Sequence, residues 1–215
     1  MVSLFGSGLA SGTAHAASTS LPQTLAGASV ALRDAAGTTS AASLYYVSPS
    51  QINLVVPGAA SAGPATMTIA SVGSAPVSFA TTIASVAPGI FQLNANTALA
   101  NANVVRVQGD QQSVEPVYQL DSAGNVIAHP IDLGPAGDSV YLSLLATGLQ
   151  NARNPTATIG GLSAPVLYSG PQGSWTGVDQ VNIGPLPRSL AGRGRVNIIV
   201  AADGRTANPV QVVVN

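Results

Sequence analysis

The chain has 215 residues, 46% of them hydrophobic and only 7% charged, with no cysteine, no lysine and a formal net charge of -1. That balance excludes disulfides, metal thiolates and thiol catalysis, and it leaves no basic face for neutralising phosphates, so nucleic acid is not an expected partner. No apolar run reaches the roughly 20 residues that cross a bilayer as a helix, so no membrane span is expected.

In chain order, the first expected element is a strand over Ser3-Leu4-Phe5 running into Gly6-Ser7-Gly8-Leu9. Ala14-His15-Ala16 imitates a small-x-small cleavage site, but no basic residue precedes it and Gly6 and Gly8 interrupt the apolar run. The stretch therefore reads as a domain strand, and any export signal is expected upstream of it. Val30 and Leu32, then Ile52, Leu54 and Val56, then Ala65, Met67 and Ile69, then Val77 and Phe79 alternate with polar or small neighbours. Period two of this kind predicts strands with one buried face, and Pro57-Gly58 and Gly63-Pro64 supply turns between them.

The middle of the chain, 93–138, carries a loop at Asn94-Ala95-Asn96-Thr97, short strands at Val104 to Val107 and Tyr118 to Leu120, and a turn at Asp121 to Asn125 before Val126-Ile127. It is too patterned for a disordered linker and is expected to pack on one or both neighbouring domains. Past residue 138 the opening pattern returns. Ser143-Leu144-Leu145-Ala146-Thr147-Gly148-Leu149 repeats residues 3–9, Val166-Leu167-Tyr168 repeats Leu44-Tyr45-Tyr46, and Gln180-Val181-Asn182-Ile183 repeats Gln51-Ile52-Asn53-Leu54. Gly204 with Pro209-Val210 answers Gly73 with Pro76-Val77. A repeat this long marks a duplicated domain. The expected organisation is all-β: a first β-sandwich over 1–92, a connecting β-rich segment over 93–138 and a second sandwich over 139–215.

In both Gln-x-Asn motifs the intervening aliphatic residues point to the core, which sends Gln51 and Asn53, and Gln180 and Asn182, to the other face. Amides there can tie down the preceding Tyr-bearing loop or offer a polar ligand surface. Tyr46 and Tyr168 read as core rings with a hydrogen-bonded hydroxyl, and Tyr168 doubles as a candidate ligand contact. Trp175, the only tryptophan, lies between Gly173 and Gly177. It is either an exposed stacking or interface anchor, or a ring folded back on the second sandwich or the middle segment.

Catalytic chemistry finds little material. His15 and His129 have no local triad partners, there is no Gly-x-Ser-x-Gly elbow, the eight acids are dispersed, and no metal or phosphate motif is present, so neither catalysis nor a cofactor is expected.

The run Leu44-Tyr45-Tyr46-Val47-Ser48-Pro49-Ser50-Gln51-Ile52-Asn53-Leu54, with Ala87-Pro88-Gly89-Ile90-Phe91, Thr147-Gly148-Leu149, Ala164-Pro165-Val166-Leu167-Tyr168 and Gly177-Val178-Asp179-Gln180-Val181-Asn182, resembles the Solibacter uncharacterised C-terminal domain family of acidobacteria. Each half also resembles the IPT/TIG branch of immunoglobulin-like folds. The resemblance implies two immunoglobulin-like sandwiches in tandem, at the C-terminus of a large exported or cell-surface bacterial protein with no assigned activity. The partners it implies are the other domains of that protein. A polysaccharide held through Trp175, and self-association through strand edges that lack lysine, are the alternatives.

Overall fold

The computed structural model describes residues 1–94 and 96–215, so Ala95 of the expected loop lies outside the described residues. The chain is all-β, built from antiparallel sheets, with a single 3-10 turn at Arg188–Leu190 among the described residues. It divides into two units: residues 1–85 with 173–177, and residues 86–172 with 178–215.

In the first unit, one sheet runs Val2–Phe5, Gln51–Val55, Ser43–Val47, Ala14–His15. The other centres on Ala28–Arg33 and Gly63–Ser71, flanked by Thr39–Ala41 and Val77–Ile83. Leu44, Val47, Ile52 and Leu54 from the first sheet share a core with Val30, Leu32, Met67 and Ile69 from the second. Ile52 and Leu54, Val30 and Leu32, and Met67 and Ile69 occupy alternate positions, which is why period two in the sequence translates into one buried face, while a bulge between Leu44 and Tyr46 spaces Leu44 and Val47 three apart. The chain changes sheets at Ala42, which is buried and donates its N–H to the Val30 carbonyl at 2.8 Å.

The second unit repeats this wiring. Ser139–Thr147 pairs with Asp179–Ile183, which pairs with Val166–Pro171. Pro155–Ile159 and Gly194–Ala202 centre the facing sheet, flanked by Leu162–Ala164 and Val210–Val214. The register agrees position by position. Ser3 lies opposite Asn53 and Ser143 opposite Asn182, and Gly63 lies opposite Ile83 as Gly194 lies opposite Val214. Tyr46 faces Asn53 just after a bulge, and Tyr168 faces Asn182 after the same bulge. One sequence marker is out of step. The register aligns Phe79 with Val210, through Met67 and Ile198, so Pro76-Val77 and Pro209-Val210 are not structural equivalents.

The middle segment is not a separate connector. Ala102–Gln108 pairs along Ser139–Thr147, Gln111–Pro116 continues that sheet, and Gly89–Ile90 pairs with the same central strand. Val86, Ile90, Ala100, Ala102, Val104, Val117, Ile131 and Leu133 belong to the second unit's core, so that unit begins at Val86 rather than 139. Burial of these aliphatic side chains moves the boundary, because they have nowhere else to leave water. Tyr118–Leu120 and Val126–Ala128 form a hairpin, with the Asp121 carboxylate accepting N–H groups of Ala123 and Asn125 across its turn.

Candidate functional site

The repeated amides come out on the non-core face in both units and bond to each other. Gln51 Nε2 donates to Asn53 Oδ1 at 2.7 Å, and Gln180 Nε2 to Asn182 Oδ1 at 2.9 Å. Two residues apart on one strand, the side chains lie side by side, so the pairing is local and tolerant of what surrounds it. Tying down the Tyr-bearing loop falls to other groups. Ser48 is buried, and its Oγ accepts the Gln51 N–H at 2.9 Å.

The tyrosines differ from the expectation of core rings. Because of the bulge, Tyr46 and Tyr168 join the outward-facing side beside Asn53 and Asn182, and Tyr168 is 42% exposed with its hydroxyl donating to the Pro171 carbonyl at 2.6 Å. In the second unit this face holds a shallow depression of about 390 Å³ where Gln180 and Asn182 meet Tyr141, Ser143, Val105 and the exposed Leu167. Two amides carry two carbonyl acceptors and four N–H donors, and the Gln–Asn bond uses one of each. The depression can therefore offer hydrogen bonds beside an apolar rim.

Trp175 lies on a short segment set apart from the strands around it in sequence. Its segment, 173–177, groups with the first unit. Tyr45 donates its hydroxyl to the Thr176 carbonyl at 2.8 Å, and burial raises the Tyr45 pKa above its usual value. Gly177 has φ +75, and a Cβ there would lie 2.9 Å from both Val55 methyls, so only glycine lets the backbone come this close. The indole is 51% exposed at the tip of this anchored loop.

The acids are dispersed along the sequence, yet the fold gathers three of them near Arg106. Its guanidinium lies 3.3 Å from Asp138 and 3.9 Å from Glu115, and donates to the Asp132 carbonyl, while Gln108 donates to Asp138 at 2.8 Å. Strand pairing creates the cluster: Arg106 sits opposite both Ser113 and Val140, residues distant in sequence. His129 lies nearby with Nδ1 3.3 Å from the Pro116 carbonyl. Among the described residues no three His, Cys, Asp or Glu side chains are grouped to hold a metal ion.

Four of the five remaining carboxylates, all but the exposed Asp110, work as backbone ties. Asp34 is buried and accepts N–H groups of Ser61, Thr38 and Ala36 at 2.8, 2.9 and 3.0 Å. The Ser61 N–H is the largest influence holding its carboxyl below the ordinary value. Asp179, also buried, accepts the Leu149 N–H at 2.7 Å, and Asp203 accepts those of Arg153 and Asn154. Asp121 is likewise lowered, chiefly by the Asn125 side-chain amide.

No protein-family model matches the chain, and no curated protein and no solved structure is significantly similar to it.

Proposed function

We propose that the chain is a non-catalytic structural and interaction module of a secreted or cell-surface bacterial protein, akin to the Solibacter C-terminal domain family, which spaces or anchors the other domains of its parent. The observation that carries this reading is how seven of the eight acids are spent, the eighth, Asp110, being exposed in a turn. Asp34, Asp121, Asp132, Asp138, Asp179 and Asp203 all accept hydrogen bonds that brace turns or strand ends, and Glu115 pairs with Arg106. General acid–base chemistry needs a carboxyl aimed at substrate, whereas these are aimed at the chain's own backbone and side chains.

The immunoglobulin-like, IPT/TIG-like part of the reading is supported by strand order. In immunoglobulin domains one sheet runs A-B-E-D and the other is built on C, F and G, extended by C′ in the variable type. Taking Ser139–Thr147 as B, the second unit follows this order, with Ala102–Gln108 as A and Leu162–Ala164 as C′. The first unit follows it from B onward.

Antibody raised against the chain should label intact cells of the source bacterium. Labelling that requires permeabilisation would overturn the surface assignment. A second reading, carbohydrate binding, is favoured by the exposed indole on its glycine-flanked loop, since such a ring can stack on a sugar face. On a glycan array the folded protein should then give signals that Trp175→Ala abolishes, and a blank array removes this reading.

A further inference from the structure

The outward face of the second unit carries a row of polar side chains that the fold itself hardly uses. Strand register sets Tyr168 opposite Asn182, Asn182 opposite Ser143, and Ser143 opposite Asn103, and directly opposed residues share a face. The intervening Leu142, Leu144, Val181 and Ile183 are each 0% exposed, so the row lies on the side away from the core. Four strands at about 4.8 Å spacing make it about 14 Å long. Among the described residues the Asn103 amide, the Ser143 hydroxyl, the Gln112 amide and the Tyr141 hydroxyl make no hydrogen bond within the chain, and Asn182 spends only its carbonyl, on Gln180.

The depression of about 390 Å³ lies along this row, and no Arg, His, Asp or Glu lines it. An anionic ligand would meet no cation there and a cationic one no carboxylate, so the surface suits a neutral ligand. A peptide added as a strand is held through main-chain groups at a sheet edge. Here Ser139–Thr147 and Asp179–Ile183 have sheet neighbours on both sides, so side chains alone make the contacts. Amides and hydroxyls both donate and accept, which is what the hydroxyls of a sugar require. Val105, the Tyr141 ring and the 60%-exposed Leu167 offer apolar surface to the C–H faces of sugar rings.

We propose that this face binds a neutral polysaccharide chain, with sugar hydroxyls bonded to Asn182, Ser143, Asn103 and Gln112 and sugar rings lying against Tyr141 and Leu167. Asn182 is the central contact. It stands in the middle of the row, and with its carbonyl held by Gln180 it keeps both N–H donors for the ligand. A volume of this size, part apolar and part polar, is in the range of small-molecule and oligosaccharide sites. The inference goes beyond the spacer reading, and it does not rest on the exposed indole, which belongs to the other unit.

The test applies the full chain to a glycan array carrying neutral glucans, mannans, xylans and galactans beside acidic polygalacturonate. Signals that survive Trp175→Ala are expected on neutral glycans. When the best neutral oligosaccharide is titrated in, the side-chain amide resonances of Asn103, Gln112, Gln180 and Asn182 should shift in NMR spectra. Asn182→Leu keeps the bulk of the side chain and removes its donors, and should weaken binding about tenfold or more. Gln112→Ala, at an exposed position on the edge strand, should weaken it about threefold. Asn53→Leu, at the same place in the repeat of the first unit, should bind as the parent does. The proposal is overturned by a blank array, by binding confined to polygalacturonate, by resonance shifts confined to other segments, or by unchanged affinity of Asn182→Leu, with Gln112→Ala deciding if that variant does not fold. Signals lost only in Trp175→Ala would overturn it and leave the indole reading standing. A glycan-free dimer dispersed by Asn182→Leu would also overturn it, giving the face to a second copy.

Discussion

Gly8 and Gly148 hold the same place in the repeated Gly-Leu motif and nearly the same backbone, φ +66 and φ +74, but their surroundings differ. A Cβ at Gly8 meets nothing within 4 Å, so Gly8→Ala costs only the left-handed backbone of an L-residue, roughly 1–2 kcal/mol. A Cβ at Gly148 would lie 1.9 Å from the Ala87 carbonyl oxygen and 2.6 Å from its carbon. Those are backbone atoms, and Ala87 N–H also donates to the Gly148 carbonyl at 2.9 Å, so relief requires the 86–90 segment to move. Val86 and Ile90, 4% and 5% exposed, would surrender part of their packing with it. Adding a share of two buried aliphatic side chains to the backbone strain puts Gly148→Ala at about 3–5 kcal/mol. Urea denaturation combined with hydrogen-exchange mass spectrometry separates the two units. Gly8→Ala should lower protection modestly in 43–55, and Gly148→Ala should strip it from 86–90 and 139–147. Equal destabilisation by the two substitutions would refute the argument, because backbone strain would then be the whole cost.

Leu144→Ala and Leu4→Ala compare the same register position with and without a covering strand. Leu144 is 0% exposed and should cost about 3–5 kcal/mol, against about 1–2 kcal/mol for the partly exposed Leu4, read from the same exchange experiment. Asp34 gives a pH prediction. Its folded pKa lies below the ordinary 3.8, so its contribution is present above the unfolded value and is lost as pH falls through the folded one. The first unit should therefore weaken below about pH 4, and Asp34→Asn should flatten that acid limb in denaturation midpoints measured from pH 2 to 7.

Much of the architecture is legible from local pattern. Gln51-Ile52-Asn53 and Gln180-Val181-Asn182 announce strands with amides outward and aliphatics inward, and the structure places Ile52 and Val181 at 0% exposure. The failures share one cause: they depend on partners far along the chain. Tyr168 points outward because of a bulge against Asn182, which period two within Val166–Pro171 cannot reveal. The Arg106 cluster assembles from residues up to 32 positions apart. Residues 93–138 look like a connector until Ala102–Gln108 is seen to pair with Ser139–Thr147. Val77 and Phe79 have the alternation of a buried face and lack the cover that would bury it.

That last pair shows what a repeat does and does not determine. The shared motif fixes hydrogen-bond register, since a one-residue slip would turn every core side chain outward. It does not fix how much of the resulting edge is covered, because the covering strand comes from a stretch outside the repeat. In the second unit 86–108 makes Gly148 sterically obligatory and brings Leu142 and Leu144 to zero exposure. Among the described residues of the first unit the same geometry leaves Gly8 without a packing constraint, and Val2 and Phe79 partly exposed. The two copies therefore differ at these edges: inward-facing Val2 and Phe79 are each 38% exposed, whereas their register counterparts Leu142 and Val210 are 0% exposed.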